Sequence, residues 1–145
     1  RLTAVPAPEH VAPLTHPGTQ AFVDMRCAEC HAMGPPDAPL VGIVTSANHP
    51  FAELANQRVF PGTDLLLHDV GTGGSYRTAP LWGLGRAGRV RTGQDDAHML
   101  MHDGSSTSIE AAILRHAGEA TAARAHFESA SPSQRTALLQ WLEGL

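Results

Sequence analysis

The sequence contains no lysine; all ten basic residues are arginine. That excludes catalysis through a lysine Schiff base and any phosphate-binding loop built on lysine. Aromatic residues make up only 5%, and there are two cysteines in 145 residues. So few cysteines rule out a disulfide-framed scaffold. The net charge of -4 lacks the basic excess that a nucleic-acid binder carries. No stretch approaches 18 consecutive apolar residues, so the sequence contains no membrane span. The first residues, Arg1-Leu2-Thr3-Ala4-Val5-Pro6-Ala7-Pro8, have no apolar signal core and no initiating Met. The chain therefore reads as a mature or excised product. What remains is a chain of single-domain length that is 42% hydrophobic and 17% charged, enough for one real core.

Residues 1–17 hold Pro6, Pro8, Pro13 and Pro17 without apolar periodicity, and are read as an extended arm or linker. Residues 18–145 are read as one domain. A helix is expected from Gly18–Thr19 through Phe22, Val23 and Met25 to Cys30, stopped by Gly34-Pro35-Pro36. A short helix over Pro50–Gln57 would put Phe51, Leu54 and Ala55 on one face. Residues 58–97 carry eight glycines and read as long loop, of the kind that wraps a large prosthetic group. Thr107-Ser108-Ile109-Glu110 reads as a capping box ahead of a helix ended by Ala117-Gly118. A short helix is expected over 119–128. Ser131-Pro132-Ser133-Gln134 reads as a second box, ahead of a last helix with Leu138, Leu139, Trp141, Leu142 and Leu145. No strand alternation is visible, so the expected class is all-α: a cytochrome c-like domain with Gly-rich loops around one haem.

Both cysteines fall in one pentapeptide, Cys27-Ala28-Glu29-Cys30-His31. Cys-x-x-Cys-His is the attachment signature of c-type haem. Two thiols a helical turn apart reach both vinyl groups of one porphyrin, and the next residue aims its imidazole at the iron. A structural disulfide needs no histidine. A thioredoxin-like redox pair expects a βαβ setting, which is missing. A zinc site needs two more ligands, and there is no second cysteine pair. The reading is one covalently attached haem c on Cys27 and Cys30, with His31 as an axial ligand. For the opposite face the residues offer His98, Met99, Met101, His102 and His116. His116 lies in register with Ile109 and Ala112 on its helix and so faces the core.

Three further stretches carry a resemblance. Tyr76-Arg77-Thr78-Ala79-Pro80-Leu81-Trp82-Gly83-Leu84-Gly85, then Leu100-Met101-His102-Asp103-Gly104, then Ser108 through Ala120 resemble the C-terminal haem domain of the di-haem oxidoreductases. These are relatives of bacterial di-haem cytochrome c peroxidase and of the di-haem enzyme that matures methylamine dehydrogenase. Asp64-Leu65-Leu66-Leu67-His68-Asp69-Val70-Gly71, Phe127 and Ser131–Leu145 resemble the same family, so the likeness covers about residues 20–145. In the peroxidases the distal ligand is a Met fourteen residues after the His of His-Asp-Gly; in the maturation enzyme a Tyr takes that place. Here the count from His102 lands on His116. The resemblance thus implies His31/His116 ligation, with Met101 as runner-up.

It also implies Arg77 as a propionate partner. Trp82 is set either against the porphyrin or in plain core. His102 is set on a propionate or tied to Asp103, and His68–Asp69 as a pair behind the ligands. Arg86, Arg89 and Arg91 read as a solvated or partner-facing loop. Full members carry two haems, and the N-terminal one has the open site where substrate reacts; this sequence has one attachment motif. The calcium held between the two domains of the peroxidases is accordingly not expected.

The expected function is electron transfer between redox partner proteins, as a subunit or domain of a larger complex, with no nucleic acid involved. An oxidoreductase or peroxidase acting at this haem after loss of a labile ligand is the alternative. A haem-holding structural or sensing subunit is the third. A triad hydrolase has no nucleophile-elbow motif to support it. Covalent haem attachment implies a periplasmic or otherwise extracytoplasmic place.

Overall fold

The computed structural model describes residues 16–35, 38, 42–86 and 99–145. The Pro-rich arm up to residue 15, with Gly88, Arg89, Arg91, Gly93 and His98, lies outside the described residues.

Helix α1 spans Pro17–Asp24. Its start is set by Pro17 in the first turn, where a missing N–H costs nothing, and by His16, whose Nδ1 accepts the Gly18 amide at 3.1 Å. The helix ends earlier than the sequence suggests. Met25 caps it, Arg26 turns left-handed with φ 64°, and Cys27–Glu29 form a separate 3-10 turn.

Toward the C-terminus, α2 spans Ile109–Arg115, α3 Thr121–Ser129 and α4 Pro132–Glu143. Ser108, not Thr107, caps α2; its side chain accepts the Ala111 amide. The Ser131/Gln134 capping box of α4 forms as the sequence reads, with Pro132 in its first turn.

The core forms where the first helix meets the last. Phe22 and Trp141 are both buried, with ring centroids 4.9 Å apart. Leu138, Leu142, Ile109, Phe127, Met25, Met33, Phe60 and Leu81 pack around them. Gly18 makes this approach possible: an added methyl would run into Trp141 Cβ and the Ala137 carbonyl. Phe51 stands outside the core, half-exposed, and only Ala52–Leu54 of the expected 50–57 helix forms, as a 3-10 turn.

The all-α expectation is corrected by two small antiparallel sheets. Strands β1 (Ile43–Val44) and β2 (Arg58–Val59) pair, as do β3 (Leu67–Asp69) and β4 (Ser75–Arg77) in the register Leu67↔Arg77, His68↔Tyr76, Asp69↔Ser75. Strands of two and three residues are too short to show a period of two. The turn between β3 and β4 uses Gly71 and Gly73 at positive φ, so glycines that read as loop instead close a hairpin. Among the described residues, no helix is long and apolar enough to cross a membrane.

Candidate functional site

The Cys27–His31 motif sits on the 3-10 turn just beyond α1. Arg26 forks onto Glu29, Nε to Oε1 at 2.7 Å and Nη2 to Oε2 at 3.0 Å, which braces the turn from its solvent side. Cys27 and Cys30 are free thiols. Burial pushes the Cys27 thiol up to about 12. Burial raises Cys30 as well, with Asp64 and Glu119 adding to it. Neither is a thiolate at neutral pH, which disfavours disulfide exchange.

His31 follows directly, and its Nδ1 lies 2.9 Å from the Gly62 carbonyl. A carbonyl only accepts, so Nδ1 carries the proton in this bond; the backbone of Ala79 also bonds the ring. Burial pushes this imidazole down to about 4, so it is neutral across the usable pH range. His116 is built the same way. It caps the C-terminus of α2, and its Nδ1 donates to the Ala112 carbonyl at 2.7 Å.

The two rings come together, with centroids 6.5 Å apart and planes inclined at 54°. Imidazoles on opposite sides of one metal ion, each with its nitrogen about 2 Å away, have centres about 6 Å apart. Donor type, tautomer and spacing therefore fit a metal held between two histidines. For a haem iron, each ligating imidazole would also have its other nitrogen anchored, as is usual for metal-bound histidine. Leu65, Leu66 and Leu67 follow the segment that holds His31, and are 62%, 60% and 67% exposed. Three consecutive leucines therefore stand open to water.

The other expected residues are more dispersed. Met101 adopts φ 67° in a turn. His102 stacks on Tyr76 with centroids 3.7 Å apart and planes 16° from parallel. The Asp103 carboxylate accepts the Ser105 amide rather than tying down His102. Arg77 lies exposed at the end of β4. Trp82 is 42% exposed, so its plain core reading does not hold.

His68 pairs not with Asp69 but with two carboxylates. Its Nε2 lies 2.8 Å from Asp64 Oδ2 and its Nδ1 2.9 Å from Glu119 Oε2. Both bonds need a proton on the ring, so His68 is an imidazolium held above its ordinary pKa, by Glu119 first and then Asp64. Burial alone would raise the Asp64 carboxyl, but the Leu66 amide, His68 and Thr78 together hold it below its ordinary range. Asp64 and Glu119 were not singled out by the sequence reading. The signal available was Asp64 four residues before His68; Glu119 is 51 residues away and carries no local signal.

Compared with known proteins, the chain matches over residues 2–145 the model of a family described as "Di-haem oxidoreductase, putative peroxidase". No curated protein and no solved structure matches it.

Proposed function

The chain belongs to the di-haem oxidoreductase family, a family of haem-binding proteins, and on that premise we propose that it is a haem domain that passes electrons between redox partners. In this reading Cys27 and Cys30 anchor one haem as thioethers, and His31 and His116 are the two axial ligands. The observation that carries it is the 6.5 Å ring separation of His31 and His116, with each Nδ1 committed to a backbone carbonyl.

When bound, the haem iron supplies a one-electron couple. The residues of the chain account for the rest. Adding an S–H across a vinyl group needs no oxidant, and both cysteines are protonated thiols. His31 and His116, each with its Nδ1 on a backbone carbonyl, would hold the iron through Nε2. Were His31 and His116 both to hold the iron, the chain would leave no position there for a substrate, and the haem would serve as a one-electron relay. Arg77 is assigned to a propionate, as a planar donor fork suits a carboxylate. Tyr76, Trp82 and His102 stand near the surface, where a partner protein approaches. Covalent haem attachment to Cys-x-x-Cys-His supports a periplasmic or otherwise extracytoplasmic place. Residues 18–145 would form the single haem domain, with the Pro-rich segment before it as a tether.

The family description favours a second reading, a peroxidase that acts at this haem once His116 leaves. One spectrum separates the two. The electron carrier gives a low-spin oxidised spectrum that cyanide and peroxide leave unchanged, and an intact mass with one added haem. A high-spin band or rapid reaction with peroxide overturns the carrier in favour of the enzyme. An intact mass without haem overturns both.

A further inference from the structure

Residues 62–71 run between the two candidate ligands and touch the segments of both. At one end the Gly62 carbonyl accepts from His31, the Thr63 amide donates to Ala32 and the Asp64 amide donates to the Cys30 carbonyl at 2.9 Å. At the other end the Val70 carbonyl accepts the Ala117 amide at 3.0 Å, and the Asp69 amide donates to Glu119 Oε1 at 2.9 Å. Gly118 passes so close to the Asp69 carbonyl that a side chain there would collide with it. His68 lies between these ends, and its ring joins Asp64 to Glu119.

We propose that Asp64, His68 and Glu119 form a positioning strut that fixes His116 opposite His31. The inference rests on the reading of those two histidines as axial ligands. It uses residues outside the ligand set. Asp64 is tied to the backbone of Cys30, and Glu119 follows His116 by three residues on the turn that leaves α2. The His68 ring between them links Asp64 to Glu119, and the Asp69 amide on Glu119 Oε1 adds a second tie between the same two segments. Cys30, Asp64 and His68 also place their donor atoms within 4.8 Å of one another. That cluster is not assigned to a metal, because both His68 nitrogens are already donating and Cys30 is a haem anchor.

The strut has a geometric consequence. Losing the His68 link leaves the Ala117–Val70 backbone bond and the Asp69 amide on Glu119 to hold residues 117–119, and the His116 ring gains freedom to tilt or withdraw. The test uses the haem-loaded chain and the variants Glu119→Gln and His68→Ala. Ser131→Ala serves as control, because it removes the α4 cap far from this segment. The expected result is a changed g-value spread in the low-spin electron paramagnetic resonance signal. Cyanide binding should be at least tenfold faster and Ala117 amide exchange at least tenfold faster, with haem content unchanged. Ser131→Ala should lower the melting temperature without moving any of these.

An unchanged signal, cyanide rate and Ala117 exchange in both strut variants overturns the proposal. So does an equal change in Ser131→Ala, which would show general loosening. If the unsubstituted protein already binds cyanide rapidly, the ligand reading has failed instead. Ala117 exchange then decides the strut alone, which stands if both variants accelerate it and falls if neither does.

Discussion

His31 and His116 lie 85 positions apart in the chain, yet their rings stand 6.5 Å apart, each with its Nδ1 bonded to a carbonyl of a different segment. The pairing is long-range and depends on both segments being held independently. His116 sits at the end of a capped helix, and His31 at the end of a turn tied to Gly62.

The first expectation concerns His116 itself. His116→Ala in the haem-loaded chain should convert a low-spin spectrum to high-spin and open the iron to cyanide. His116→Met should keep it low-spin and raise the midpoint potential, because a thioether favours the reduced state. Optical spectra and a redox titration read both. A spectrum identical to that of the unsubstituted protein would remove His116 from the ligand set.

Gly18→Ala tests the contact that closes the core. The added methyl meets Trp141 Cβ and the Ala137 carbonyl, and neither is the free end of a flexible side chain. Overpacking of this kind costs about 1–3 kcal/mol. Urea unfolding should show a lower midpoint with an unchanged slope. Stability equal to that of the parent would mean that α1 and α4 separate without penalty.

Ser131→Ala removes the side chain that accepts the Gln134 amide in the α4 capping box. A lost cap costs about 1 kcal/mol. Thermal unfolding should move down by a few degrees, and Ser131→Asp should restore most of it.

The strut has a pH signature whose sign follows from its members. His68 is held above its ordinary 6.5, so its contribution is complete below that value and fades as pH rises through the raised one. Asp64 and Glu119 are held below their ordinary 3.8 and 4.5, so their contribution is present above those values and fades as pH falls through the lowered ones. The stability gap between the parent and His68→Ala should therefore be widest at about pH 5–6 and shrink toward both extremes. Glu119 is exposed, so salt near 1 M should narrow the gap further. A gap that does not vary with pH would mean that His68 contributes packing alone.

The parts of this protein that follow local rules are readable from the residues. The Cys27–His31 pentapeptide, the Ser131-Pro132-Gln134 helix start and the apolar stripe of the last helix each lie within a few consecutive positions. The spacing from Ile109 and Ala112 put His116 on their helix face, whereas the helix ends at Arg115 and His116 caps it in extended backbone. The two hairpins escape that reading, since strands of two or three residues carry no periodicity and their glycines look like loop. Trp82 and Phe51 mislead in the other direction: their size suggests core, and the helices fill the core without them. The Asp64–His68–Glu119 link has a legible half, four residues apart, and a hidden half brought in by folding across 51 positions. The family resemblance drawn from the motifs agrees with the family match over residues 2–145.

The packing of Phe22 against Trp141 also constrains the order of events when the chain is made. Helix α1 leaves the ribosome more than a hundred residues ahead of the helix that covers it, so its apolar face waits unprotected until that helix is made. Closing that contact joins residues 119 positions apart, and proteins dominated by such distant pairings fold slowly. Losing α4 would strip the cover from the helix that leads into the cysteine motif.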